Sequence, residues 1–416
     1  MTKDISLPLN FSGNKVKHNT YDYFLMFFLA LQIFGVMGGS MQPIRIFVIL
    51  CAPFTINFFL KNKKVTYRYQ YEIFLFSVWI IYALITLFWA IIPLGSIKEI
   101  LYLILNFFAF LTVIYLANKA INPQDSILKG WLLLFLLTLP IALIELWFDM
   151  HLAISAQEKG LVIRFGAQVL RRSFASVTYG NLNGYNTLLC YILPFLFCFS
   201  VRSLSKIYTV FIWLIILCLS YIIIMNGSRG AALSLMLGYS VFIFFYLKTK
   251  RILVILAILF LIAIYILLNY YDEVFTIIAN RFAGLGLRDE GRSKLLISSW
   301  DAFVKSGMFG IGAGNFIPTM KSVYHLEYTA AHNLFLEVGV QYGLLILILF
   351  MGIILRLFFK QRGNQNKSSK FIIIASLVMF PLTSIIDSSY ILSVGVWLFL
   401  ASLYVIADRQ YNIDLV

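Results

Sequence analysis

With 416 residues, 61% of them hydrophobic and only 12% charged, the chain is more apolar than a soluble domain, which is roughly half apolar. Its apolar residues recur in runs of about 20, enough to cross roughly 30 Å of hydrocarbon as helix, which excludes the shorter alternating strands of a membrane β-barrel. In such a chain a formal charge of +15 reads as a basic cytoplasmic face and not as a nucleic-acid surface.

In chain order, a polar tail over residues 1–20 precedes the first apolar run, and further runs follow at once, unlike the arrangement of a cleaved leader. Twelve spans are expected, at 21–39, 43–60, 71–93, 97–117, 127–147, 184–201, 207–225, 230–247, 252–270, 333–358, 371–387 and 391–407. With both termini cytoplasmic, the inner loops carry Lys61, Lys63, Lys64 and Arg68, then Lys119, Arg202, Lys206, Lys248, Lys250 and Arg251, and finally Arg356, Lys360 and Arg362. Two long loops, 148–183 and 271–332, fall on the opposite, extracytoplasmic side. They hold enough aromatic and aliphatic residues to be ordered caps over a site. The larger is expected to be helical, because Leu295, Leu296, Trp300 and Phe303 approximate one helix face. There is no internal repeat, and residues 1–416 read as a single integral membrane domain. The four cysteines lie inside apolar runs and read as packing residues, not as disulfides or metal ligands.

Four polar constellations interrupt this pattern. Arg171 and Arg172 open a stretch that closes the first long loop and runs to Gly180-Asn-Leu-Asn183; it offers phosphate-binding and sugar-binding groups, or a plain polar re-entry into the bilayer. Arg45 and Lys98 lie near the outer ends of their spans and extend the same positive region.

Next comes Asn226-Gly-Ser-Arg229-Gly-Ala, a turn between two spans. An arginine here either snorkels to water or meets an anion, and Gly227, Gly230 and Ala231 remove the bulk that would keep a large anion away.

The third contains Arg281, Arg288 and Arg292 ahead of the glycine-rich run Gly310-Ile-Gly-Ala-Gly-Asn-Phe316. That run lacks the Lys-Ser/Thr ending of a phosphate loop and reads as a turn between two cap helices. The arginines read either as surface charges or as phosphate ligands.

The fourth is Ala331-His332-Asn333, where the second long loop re-enters a span that contains Gly343. A histidine there is a capping residue or, with an ordinary pKa near 6.5, a general base at neutral pH. Acids such as Asp272, Glu273, Asp289 and Glu290 are scattered without metal-ligand spacing.

Taken together, Ser228-Arg229-Gly230-Ala231, Arg292 with Trp300 and the glycine run, and His332-Asn333 with Gly343 resemble the bacterial O-antigen ligase and O-antigen polymerase superfamily. The resemblance covers about 165–360. Ile346 stands where the family usually has Gly or Thr, and Gly180-Asn-Leu-Asn183 replaces its usual Asn-Pro-Asn type segment. It implies an all-α polytopic membrane glycosyltransferase of GT-C-like architecture in the bacterial inner membrane, with its site on the periplasmic or extracellular face.

The implied reaction moves a glycan from an undecaprenyl-pyrophosphate carrier to a sugar hydroxyl, with inversion and with neither metal nor cofactor. Arg229 and Arg292 then face the pyrophosphate, His332 activates the acceptor, and Asn333 orients or caps; Arg171, Arg172, Arg281, Arg288 and Asn183 are further binding candidates. The first expectation is a surface-polysaccharide polymerase, with a chain-length regulator as an additional partner. The alternative is a ligase that delivers the glycan to lipid A-core. A lipid-linked oligosaccharide flippase is a third reading, disfavoured because the distinctive polar groups gather at the outer ends of the spans and not at midplane.

Overall fold

The computed structural model describes residues 18–153, 161–165, 168–202, 205–247, 290–327, 330–362 and 366–408. Helix α1 (Thr20–Ala30) starts at a capping box, in which the Asn19 side chain accepts from the Asp22 N–H and the Asp22 carboxylate accepts from the Asn19 N–H. Helices α2 (Pro43–Lys61), α5 (Pro93–Lys119) and α6 (Pro123–Phe148) each begin on a proline, whose missing N–H costs nothing in the first turn. Between α2 and α5 lie the short α3 (Lys63–Arg68) and α4 (Gln70–Ile85). After the first long loop come α7 (Leu182–Arg202), α8 (Lys206–Asn226) and α9 (Arg229–Tyr246). The second loop contributes α10 (Glu290–Lys305) and α11 (Phe316–Ser322), and the chain ends in α12 (Leu334–Arg362), α13 (Lys367–Thr383) and α14 (Val394–Ala407).

Among the described residues, 8 helices are long and apolar enough to cross a membrane, fewer than the twelve expected. The expected span 252–270 lies outside the described residues. The Thr20–Phe34 stretch and α14 are shorter apolar helices, and α13 has 17 residues. The expected span 371–387 ends early, at Thr383, because the chain leaves the helix there: the Tyr390 hydroxyl donates to the Thr383 carbonyl at 2.6 Å, and the Asp387 N–H donates to the Tyr390 hydroxyl at 2.7 Å. The first long loop also departs from a purely helical reading. It contains a two-stranded antiparallel hairpin of β1 (Leu161–Phe165) and β2 (Gln168–Arg172), with Leu161 opposite Arg172.

Helices α7 and α14 form the centre of the bundle. Almost all of α7 is buried, and Trp397, Leu398 and Tyr404 of α14 are fully enclosed. Trp131 stacks on Phe195 at 5.3 Å, and Trp79 meets Trp397 edge-on at 5.8 Å, so interlocking aromatic rings fill the interior. At 14 residues, α14 is about 21 Å long, short of the roughly 30 Å of a bilayer core. The connection 384–393, which includes a 3-10 turn at Tyr390–Leu392, joins α13 to α14.

The two ends of the bundle differ. At one, Lys61, Lys119 and Arg202 close their helices; Arg68 pairs with Asp408 at 2.9 Å, and Arg356 with buried Glu72 at 3.0 Å. The other end holds the 384–393 connection and the starts of α7, α9 and α12.

Candidate functional site

The turn before Arg229 is built on Asn226. Its buried side chain accepts from the Ala175 N–H at 2.7 Å, donates to the Ala175 carbonyl at 3.0 Å and donates to Asn186 Oδ1 at 2.9 Å, tying the end of the first long loop to α7 and α8. Gly227 closes α8 at φ 65°, and Arg229 is the first residue of α9. Its guanidinium is exposed, and among the described residues no ion pair or hydrogen bond occupies it. Two of the small residues beside it serve packing. A Cβ on Gly230 would lie 3.0 Å from Ile386 Cγ1, and Ala231 is fully buried, so their size lets α9 lie against the end of α13.

Backbone contacts bring His332 to the same connection. The Leu334 N–H donates to the Ser384 carbonyl at 2.9 Å, and Asn333 caps α12 by accepting from the Phe335 and Leu336 N–H groups at 2.9 and 3.1 Å. Between the loop and that cap, His332 holds φ 43°, a left-handed conformation that a non-glycine residue adopts only under constraint. Its side chain is half-buried.

Asp387 is the third group on this connection. One carboxylate oxygen lies 3.2 Å from where a Cβ on Gly184 would stand, and Asn181 hydrogen-bonds to the carboxylate. Burial pushes its pKa up to about 6, with the Ser388 N–H and Asn181 opposing the rise. Asn181 also accepts from the Gly184 N–H at 2.8 Å, and Asn183 sits in the first turn of α7 beside this contact. The 384–393 segment thus gathers the starts of three helices, carrying Asn183, Arg229 and His332.

The glycine run is a turn between α10 and α11, as expected, and it docks into a break in α12. Gly343 has φ 77° and ψ 179° inside that helix, and the Ile311, Gly312 and Leu344 N–H groups donate to the carbonyls of Val340, Gln341 and Met308 at 2.8 to 3.0 Å. Asn315 locks the other side, accepting from the Ile92 N–H and donating to Ser96 Oγ.

Arg292 lies in the first turn of α10, and Arg171 and Arg172 on β2; the backbone of all three is described, but not their side chains. Arg281 and Arg288 lie outside the described residues. Lys98 lines the cavity described below, and Arg45 is committed to structure: its guanidinium lies 4.0 Å over the Tyr102 ring and donates to the Gly39 and Leu392 carbonyls. Sequence reasoning missed Glu99, Glu337 and Asp387 as site residues. Glu99 accepts from the Tyr342 hydroxyl at 2.6 Å, and Glu337 from the Tyr390 N–H at 2.9 Å. The available signal was an acid near a span end, where burial demands a partner. Among the described residues, no group of three or more His, Cys, Asp or Glu could hold a metal ion.

A helical bundle in which the backbone beside Arg229 and beside His332 packs against the connection that carries the buried Asp387 carboxyl is that of a polytopic membrane protein. Residues 214–351 match the model of a family described as O-antigen ligase. The chain is also 26% identical over 350 residues to the teichuronic acid biosynthesis protein TuaE of Bacillus subtilis (strain 168), covering 78% of this chain and 69% of that one. Both similarities support an assignment to the O-antigen ligase and O-antigen polymerase superfamily, the family model matching about a third of the chain.

Proposed function

We propose that the protein transfers a glycan from an undecaprenyl-pyrophosphate carrier to a sugar hydroxyl at the outer face of the bacterial cytoplasmic membrane. Both termini are then cytoplasmic and the basic end of the bundle faces inward. The observation that carries this reading is the convergence of Arg229, His332 and Asp387 on residues 384–393.

In this mechanism the bond between the anomeric carbon and the pyrophosphate oxygen breaks while the acceptor oxygen bonds to that carbon from the opposite face, inverting it. The leaving pyrophosphate takes the electron pair, and Arg229, with Arg292, stabilises its growing charge. A free guanidinium in a partly dry site suits this task because its fork matches phosphate oxygens. His332 takes the acceptor hydroxyl proton. Asp387 positions the start of α7 through Asn181, and Arg171, Arg172, Arg281 and Arg288 are further candidates for binding the anion. No step needs a metal ion.

The matched family is described as O-antigen ligase, which favours ligation over the polymerase expectation. The ligase reading has lipid A-core as acceptor. Polymerisation is the second reading, supported by the similarity to a protein named for teichuronic acid biosynthesis. Incubating the purified protein with lipid-linked repeat units, with and without lipid A-core, separates them: product only with core supports ligation, and ladders without core support polymerisation.

A further inference from the structure

Beside the start of α12 lies a cavity of about 200 Å³, lined by Lys98, Glu99 and Tyr102 of α5, Ile317 of α11, and Glu337 and Gln341 of α12. Ala331, which precedes His332, also lines it. The polar wall is deeply buried, with Glu99, Glu337 and Gln341 only 8%, 5% and 1% exposed. Tyr342, the Gly314 backbone and the Gln341 side chain hydrogen-bond to Glu99, and the Tyr390 and Ile391 backbone to Glu337, but the Gln341 side-chain oxygen is buried with no hydrogen-bond partner. A buried acceptor of this kind calls for a donor.

The wall therefore presents two carboxylates and an amide oxygen that accept hydrogen bonds, and one ammonium, on Lys98, that donates. The acid and amide oxygens favour a ligand that brings donors. A metal ion finds no third acidic ligand among the described residues. A polyol fits, because each hydroxyl offers one donor and two lone pairs. The Tyr102 ring is held by Arg45 at 4.0 Å and by a 2.6 Å hydrogen bond to Ser40, giving a fixed aromatic surface for the apolar C–H face of a sugar ring. The volume is below the roughly 300 Å³ of the smallest drug-sized sites and admits about one such ring.

We infer that this cavity binds a sugar of the acceptor glycan through its hydroxyls and presents the neighbouring hydroxyl toward His332. The inference rests on the transferase reading and assigns the acceptor side of the site to α5, α11 and α12.

The test uses the full chain in lipid nanodiscs and an oligosaccharide cut from the surface polysaccharide of the bacterium that carries the protein. Saturation-transfer NMR measures binding, and kinetics with a lipid-linked donor measure transfer. Glu337→Gln keeps an acceptor for the Tyr390 N–H but replaces one oxygen of the wall by an amide donor. Ile317→Trp, at a residue 48% exposed on the rim, narrows the mouth without disturbing buried groups. Both variants are expected to weaken oligosaccharide binding and raise the acceptor KM by about tenfold or more, with the donor KM within about twofold of wild type.

Absence of binding by the wild type, or unchanged binding and acceptor KM in both variants, overturns the inference. Binding that both variants weaken, without glycan transfer by the wild type, retains the sugar site and removes the transferase reading. Transfer with an unchanged acceptor KM in both variants retains the transferase and removes this site.

Discussion

The N–H of Leu344 donates to the carbonyl of Met308 at 2.9 Å, across the point where Gly343 breaks helix α12. That contact lets the turn of the second long loop enter a helix that otherwise runs from Leu334 to Arg362, and it fixes the loop over the start of α12. A Cβ on Gly343 would lie 2.5 Å from the Met308 oxygen, at a φ of 77° that side chains rarely adopt. Gly343→Ala is therefore expected to cost about 2–4 kcal/mol in strain and lost contacts, lowering the melting temperature in detergent and sharply reducing transfer. A variant with wild-type melting and turnover would show that the docked turn is dispensable.

Asn226 supports Arg229 indirectly, through three hydrogen bonds in a buried setting. Replacement by Leu leaves the Ala175 N–H and carbonyl without partners, at a cost of about 2–4 kcal/mol. Thermal melting should show this loss, and Asn226→Asp, which turns an oxygen toward the Ala175 carbonyl and Asn186 Oδ1, should also melt below the wild type. Wild-type melting of both variants would contradict the account of the turn.

Asp387 gives a pH dependence whose sign follows from burial. Its pKa in the fold, about 6, stands above the ordinary value of 3.8, so folding disfavours the charged form. Its contribution is most favourable below the unfolded value and is lost as the pH rises through about 6. Asp387→Asn is thus expected to stabilise the protein above that pH by about 2–3 kcal/mol, the gain vanishing near pH 4. Melting curves across this range test it: a gain that is constant with pH, or grows as the pH falls, would be inconsistent with a buried carboxyl. The same variant should turn over more slowly, because the neutral amide holds Asn181 less firmly.

Metal independence predicts that excess chelator leaves transfer unchanged. Loss of turnover on chelation that only an added divalent ion restores would remove the assignment of leaving-group stabilisation to arginine.

Much of the fold was legible because its signals are local. The apolar runs locate α2, α5 and α6, and the glycine run reads as a turn between helices. Asn333, expected to orient or to cap, caps α12. The early end of α13 was hidden, because the hydroxyl that bonds to the backbone there belongs to Tyr390, several residues on. Gly230 was assigned to ligand access because its neighbour is Arg229, while its contact, Ile386, lies far along the chain. Glu99 and Glu337 looked like isolated charges in apolar helices for the same reason: Tyr342 and the Tyr390 backbone satisfy them only after folding.

The central claim joins two residues from separate helix starts in one reaction, and kinetics with purified protein, a lipid-linked glycan donor and an acceptor saccharide test it most directly. Arg229→Ala and His332→Ala, each folded by melting analysis, should each lower turnover at least about 100-fold, the scale on which removal of charge stabilisation or a general base acts. Turnover near the wild-type rate in both variants would contradict the mechanism.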